Sequence, residues 1–262
     1  MPRFAANLSF LFTELDFLDR FLAAAEVGFG AVEFMFPYAY KAEDIRTRLD
    51  DNGLELVLFN LPPGHWDKGE RGFAALPGRA DEFASAVDLA LRYAEALECP
   101  RLHVMAGLEA HGAQREIYVS NIRLASLWAL GNSVDVLIEP INTRDMPGYF
   151  LSSTAAAQDI IKEIGEPNVG LQFDLYHRHI MEGGVAGAIA EYKDITRHYQ
   201  CAAPPDRGEP GAGELDFADL FRKIDETGYK GWVGCEYKPR GRTLEGLDWP
   251  AKCGVSLGGG EG

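Results

Sequence analysis

Short runs of β-branched and aromatic residues alternate along this chain with longer stretches whose apolar positions recur at helical spacing. The runs predict strands near residues 4–9, 31–36, 54–60, 101–106, 134–140, 169–174, 196–201 and 231–237. Helical patterns cover 14–27, 42–52, 81–97, 114–130, 154–164 and 216–227, and the weakest, at 183–192, is short and interrupted by glycine. Several strands, such as Val134-Asp135-Val136-Leu137-Ile138-Glu139, are mostly apolar and end on a polar residue, the pattern of strands buried on both faces by helices. Gly28, Gly53 and Gly228 follow helical runs and suit the left-handed position that ends a helix. Eight strands alternating with helices predict an α/β fold, a single closed (β/α)8 TIM barrel. A doubly wound open sheet is the alternative.

At 262 residues the chain fits one such domain. The barrel is expected over 1–253, followed by a flexible Gly-rich tail over 254–262 that has too little apolar surface to pack. Cys99, Cys201, Cys235 and Cys253 are scattered and form no C-x-x-C pair, so they read as reduced thiols of a cytoplasmic protein. Asn7, Glu14 and Asp16 break up any apolar leader, and no apolar run approaches membrane-spanning length. Neither a signal peptide nor a membrane helix is expected. With 25 basic against 40 acidic residues, the net charge of −15 opposes docking on nucleic acid or an anionic membrane. A small anionic substrate stays admissible if positive charge is concentrated at the site. A homo-oligomer is left open.

The active site of a (β/α)8 barrel lies at the carboxyl ends of its strands. Four consecutive predicted strands end in oxygen-bearing side chains, Glu139, Asp174, Gln200 and Glu236. Each follows an apolar stretch, where a bare carboxylate is costly to desolvate, and three converging carboxylates repel one another. A divalent cation resolves both problems, and an all-oxygen set favours Mg²⁺ or Mn²⁺ over zinc. The competing reading of each acid is a helix N-cap or an ion-pair partner. Arg207, in a loop stiffened by Pro204, Pro205 and Pro210, is placed to grip a substrate carboxylate, with Lys238 and His177 as further substrate-binding candidates. His111 and His179 read as surface residues and His103 as a satisfied core histidine. The long loop over 60–72, with His65, Trp66, Glu70 and Arg71, reads as a lid. No dinucleotide-binding or Walker glycine motif appears, and no Ser-His-Asp order stands out.

Longer stretches carry a resemblance. Gly-Phe-Gly-Ala-Val-Glu-Phe-Met-Phe-Pro-Tyr at 28–38, Asn-Leu-Pro-Pro-Gly at 60–64 and Leu-Ile-Glu-Pro-Ile-Asn at 137–142 are among them. So are Gln-Phe-Asp-Leu-Tyr-His at 172–177, Arg-Gly-Glu-Pro-Gly-Ala-Gly-Glu at 207–214 and Gly-Trp-Val-Gly-Cys-Glu-Tyr-Lys-Pro at 231–239. Together they make the chain, from residue 3 to about Trp249, resemble the hydroxypyruvate isomerase family of xylose-isomerase-like barrels. The resemblance implies that Glu139 and Glu236 form the catalytic acid/base pair. It also implies that Glu139, Asp174, Gln200 and Glu236 hold a divalent metal, and that a small anionic keto acid is isomerised through an enediolate. Related epimerases carry His where Gln200 stands, which sets ketose 3-epimerisation behind isomerisation. Isomerisation of a 2-oxo-tetronate is the nearest rival. A nucleic-acid endonuclease is disfavoured by the charge, and a catalytically silent binding barrel by the presence of both glutamates. Two departures stand out: Ala202-Ala203-Pro204-Pro205 after Gln200, and a chain that runs into its Gly-rich tail soon after Trp249.

Overall fold

Every expected strand forms, and each hydrogen-bonds in parallel to the next. The strands are β1 (Arg3–Asn7), β2 (Ala31–Phe34), β3 (Glu55–Asn60), β4 (Arg101–His103), β5 (Asp135–Ile138), β6 (Val169–Asp174), β7 (Thr196–Cys201) and β8 (Trp232–Cys235). This computed structural model describes residues 1–211 and 213–258. The sheet closes when β8 pairs with β1, with Phe4 opposite Val233 and Ala6 opposite Cys235. Closure makes the barrel, and the open doubly wound sheet is excluded.

Helices cover the outside: α1 (Arg20–Glu26), α2 (Ala42–Asn52), α3 (Ala80–Leu97), α4 (Arg115–Leu130), α5 (Thr154–Ile164), α6 (Leu175–Met181), α7 (Val185–Glu191), α8 (Phe217–Glu226) and α9 (Trp249–Lys252). Their ends follow local chemistry. Asp216 caps α8 by accepting from the Asp219 N–H at 3.1 Å, and the helix buries Phe217, Leu220, Phe221 and Ile224 against the barrel. Truncating one of these, as in Leu220→Ala, costs about 2–5 kcal/mol. Gly53 ends α2 at φ +63°, a conformation that a side chain disfavours. Two helices depart from expectation. The first starts only at Arg20, after a 3-10 turn over Phe17–Asp19. The other, α6, lies outside the expected helical patterns and begins directly at the end of β6.

The main core lies between helices and strands, while Ala5, Ala31, Val57, Leu58, Leu137 and Trp232 form a second apolar cluster. Val255 and Leu257 rest against the main core, and the Phe4 N–H donates to the Leu257 carbonyl at 3.4 Å. The rest of the expected tail, 259–262, lies outside the described residues. All four cysteines are free and buried; Cys201 and Cys235 face one another across β7 and β8. Among the described residues no helix is long and apolar enough to cross a membrane.

Candidate active site

Inside the barrel, side chains from alternate strand positions meet across the axis. Glu33 of β2 touches His198 and Gln200 of β7, and Asn7 of β1 touches Glu236, just past β8. Such contacts place these polar groups in the interior, towards the ends of the strands. Their neighbours one residue away, such as Phe34 and Tyr199, join the outer core.

Three ligand-bearing groups converge near the carboxyl ends of β5 and β6. Atoms of Glu139, Asp174 and His177 all lie within 4.8 Å of one another. Asp174 does two things at once. Its Oδ1 accepts from the Tyr176 N–H at 2.8 Å and so caps α6, while its Oδ2 is buried without a hydrogen-bond partner. Oε1 of Glu139 is buried and unpartnered as well. Orphaned carboxylate oxygens are expensive to bury, and a cation between them removes the cost. Burial, with help from Glu236 and Asp174, holds the Glu139 carboxyl well above the usual range. Burial also pushes Asp174 up to about 6, against the opposing pull of Arg207.

His177 sits in the first turn of α6, and its protonation pattern is set from behind. Asn142 offers its backbone N–H at 3.3 Å and its side-chain amide at 2.6 Å to Nδ1 of His177. The amide cannot be turned around, because its Oδ1 accepts from the Asp145 N–H at 2.7 Å. Nδ1 therefore accepts, and the neutral ring carries its proton on Nε2, which faces Asp174 Oδ2 at 3.5 Å and Glu139 Oε1 at 3.8 Å. Burial, then the charge of Arg207, depresses the basicity of the ring and keeps it neutral.

Glu236 stands on the other side of Arg207. Its Oε1 accepts from the Arg207 guanidinium, which also lies 3.7 Å from Asp174 Oδ2. Its Oε2 accepts from Asn7 at 3.1 Å and from the Gln200 amide. Burial pushes Glu236 up to about 8, although Arg207 pulls in the opposite direction. Arg207 is itself held on three sides. The rings of Phe10 and Tyr176 lie 4.9 and 5.4 Å from its guanidinium, and its carbonyl accepts from the Lys238 N–H at 2.7 Å. Its backbone adopts φ +58°, inside a loop closed by paired Ala203 and Gly208.

A cavity of about 190 Å³ joins these groups. It is small against the roughly 300–1,000 Å³ of drug-sized sites and suits a molecule of a few carbons. Larger hollows of about 440 and 410 Å³ lie at the amino-terminal mouth and beside α9, but neither contains Glu139, Asp174 or Glu236. Glu139, Glu236, His177, Arg207 and Lys238 line the small cavity, whereas Asp174 and Gln200 lie just behind it. Lys238 lies exposed at the rim. From the expected lid Asn60 and Trp66 reach the cavity, and Trp66 is wedged between Phe36 and the stacked guanidinium of Arg71. Glu70 is instead tied back to Arg79 at 2.9 Å.

His103 is not the satisfied core residue its strand suggested. It lines the cavity with Nε2 unpartnered, 3.6 Å from Glu139 Oε2, and burial lowers its basicity to about 3. Glu33 and Asn7 were missed as well. An acid within the apolar run Ala31-Val32-Glu33-Phe34 was the available signal.

Fold and site together define a (β/α)8-barrel enzyme with its acidic residues gathered at the carboxyl-terminal mouth. The family model for xylose isomerase-like TIM barrels matches residues 21–253. The chain is 51% identical to the 2-oxo-tetronate isomerase of Cupriavidus necator, over 95% of this chain and 97% of that protein. It is 45% identical to the hydroxypyruvate isomerase of Escherichia coli, over 95% and 98%. A crystal structure from Brucella melitensis, described as an AP endonuclease of family 2, superposes with a TM-score of 0.93 at 49% identity, covering 96% of this chain and 98% of that one. The chain belongs to the hydroxypyruvate isomerase family of the xylose isomerase-like TIM barrels.

Proposed function

We propose that this protein is a hydroxypyruvate isomerase that interconverts hydroxypyruvate and tartronate semialdehyde, and that it uses a bound Mg²⁺ or Mn²⁺ ion. One observation carries the reading: two buried, orphaned carboxylate oxygens, on Glu139 and Asp174, converge at the back of a small cavity lined by Glu139, Glu236 and the Arg207 guanidinium. Glu139, Asp174 and Glu236 would hold the ion. Gln200, expected from the sequence as a fourth oxygen donor, keeps its Oε1 on Gln172 at 2.7 Å and its amide nitrogen on Glu236, so it serves the site by holding that ligand. The donors fit a hard divalent cation. His177 suits a different task, because its Nε2 carries a proton and can donate to a substrate oxygen.

Hydroxypyruvate has its carbonyl at C2 and its hydroxymethyl at C3. One glutamate removes a proton from C3, giving an enediolate, and the other returns a proton to C2, while the hydroxyl proton passes from O3 to O2. A bound divalent cation supplies stabilisation of the negative charge that develops on those two oxygens. Glu139 and Glu236 are the pair, and burial keeps both close to protonation in the metal-free site. Arg207 offers the carboxylate of the substrate a two-bond grip, with Lys238 at the rim adding positive charge. Free, buried cysteines support work in the reducing cytoplasm.

A four-carbon 2-oxo-tetronate is the second reading, favoured by the Cupriavidus necator relative and by a cavity with room for one carbon more. The deciding experiment measures kcat/KM of the purified, Mn²⁺-supplemented protein on hydroxypyruvate, a 2-oxo-tetronate and a neutral ketose of similar size. Hydroxypyruvate is expected to lead. Preference for the tetronate moves the assignment to the second reading, and preference for the ketose sinks both. An abasic-site duplex in the same series tests the endonuclease description, against which the net charge of −15 already stands.

A further inference from the structure

Directly beneath Glu236 lies a second carboxylate that the reaction does not touch. Glu33 is fully buried, and both of its oxygens are engaged. Oε2 accepts from His198 Nε2 at 2.7 Å. Oε1 accepts from Asn7 Nδ2 at 2.9 Å and from Gln200 Nε2 at 2.7 Å. The same two amide nitrogens donate their remaining hydrogens to Oε2 of Glu236. Asn7 and Gln200 thus form two parallel bridges between one carboxylate and another. The Asn7 amide has no free choice of orientation, since its Oδ1 accepts from the Ser9 N–H at 3.0 Å. Gln200 Oε1, by contrast, accepts from Gln172 Nε2 at 2.7 Å, an amide whose own Oε1 is unpartnered and which can turn with it. The backbone makes room for the arrangement. A Cβ on Gly234 would stand 2.3 Å from Glu33 Oε1, so the glycine is what lets the carboxylate lie against β8.

We propose that Glu33 is a positioning residue: through the paired amides of Asn7 and Gln200 it fixes the direction in which Glu236 presents its carboxylate to the substrate. The inference rests on Glu236 being half of the acid/base pair. An acceptor at Glu33 makes both amides point N–H towards Glu236. Without it, the Gln200 amide can rotate and present oxygen to oxygen. Reacting groups tolerate little misplacement, and a shift of about 1 Å can cost about 10²-fold in rate.

The test compares Glu33→Met, which keeps the length and removes the acceptor, with Glu33→Gln, which keeps one acceptor oxygen. Asn7→Ala and Glu236→Gln are measured alongside. Each Mn²⁺-supplemented variant is assayed on hydroxypyruvate, with its fold checked by circular dichroism and thermal melting. Glu33→Met is expected to lose at least about tenfold in kcat with KM within about threefold, and Glu33→Gln to recover part of that loss. A folded Glu33→Met with wild-type kcat overturns the proposal. So does a loss confined to KM, or one shared equally by Glu33→Gln. If Glu33→Met fails to fold, Asn7→Ala decides, since it cuts one bridge and leaves the buried charge in place. It should lower kcat several-fold, and wild-type turnover counts against the proposal. Near-normal turnover in Glu236→Gln would instead remove the acid/base reading itself, a result distinct from failure at Glu33.

Discussion

The guanidinium of Arg207 donates to Oε1 of Glu236 and also faces Oδ2 of Asp174, so one side-chain cation stands between two acids assigned to the metal. Burial works against its charge, but Glu236, Asp174 and Glu139 outweigh burial and hold Arg207 more firmly protonated than usual. Removing one partner of a buried ion pair typically costs about 3–5 kcal/mol. Arg207→Ala should therefore lower the melting temperature of the metal-free protein. The same change removes a positive charge beside the cation site, so Mn²⁺ should bind more tightly. Melting and titration calorimetry on chelated protein check both; weaker Mn²⁺ binding would show that Arg207 organises the acids rather than competing with the ion.

Arg207 also bears on substrate choice. Truncating one charged partner of a desolvated pair costs about 2–5 kcal/mol, which is roughly 30-fold to 5,000-fold in kcat/KM. Arg207→Ala should lose this on hydroxypyruvate and far less on a neutral ketose. Arg207→Lys should recover only part, because an ammonium lacks the planar fork. Equal losses on both substrates would reduce Arg207 to a support for its loop.

Glu139→Gln and Glu236→Gln preserve shape and remove the titrating group. Each should cost at least about 10²-fold in kcat. Since both glutamates are assigned to the metal, Mn²⁺ content has to be measured with the rate. A variant that turns over normally with Mn²⁺ bound clears that residue of the acid/base role.

The pH dependence has a definite sign. Burial raises Asp174 to about 6 and Glu236 to about 8, from 3.8 and 4.5. Across that window the native, metal-free protein binds protons that the unfolded chain releases, so rising pH destabilises it. The contribution is complete below about pH 4 and is lost as pH passes through about 6 and then about 8. Metal binding needs the deprotonated acids, so the rise in melting temperature on adding Mn²⁺ should grow over the same range. Thermal scans of chelated and Mn²⁺-loaded protein from pH 4 to about 8.5 measure both trends, with Glu236→Gln showing a flatter metal-free profile. A Mn²⁺ effect independent of pH would contradict the assignment of these acids as ligands.

The eight strands could be located from the sequence because each is a short apolar run between helical patterns, and eight such units leave a closed barrel as the natural solution. The sequence shows no boundary between β6 and α6, because the helix Leu175–Met181 starts where the strand stops, with no turn residues between them. Asp174, the strand's last residue, is also the cap that starts the helix. His103 and Glu33 illustrate a different limit. When a strand is covered on both faces, apolar alternation no longer says which residues face the barrel axis. Contacts such as Glu33 with His198, 165 positions apart, appear only once the sheet is closed.

The bond from Asn7 to Glu236 spans 229 positions of the chain. Its two ends belong to the first strand and to the turn just after the last, so a nascent chain emerging from the ribosome carries Asn7 and Glu33 long before their partner exists. Until β8 docks, the first two strands hold a buried acid and an amide with nothing to bridge. The amino-terminal half therefore has reason to stay loosely packed during synthesis, and catalytic competence should arise in one late, cooperative step of barrel closure rather than strand by strand.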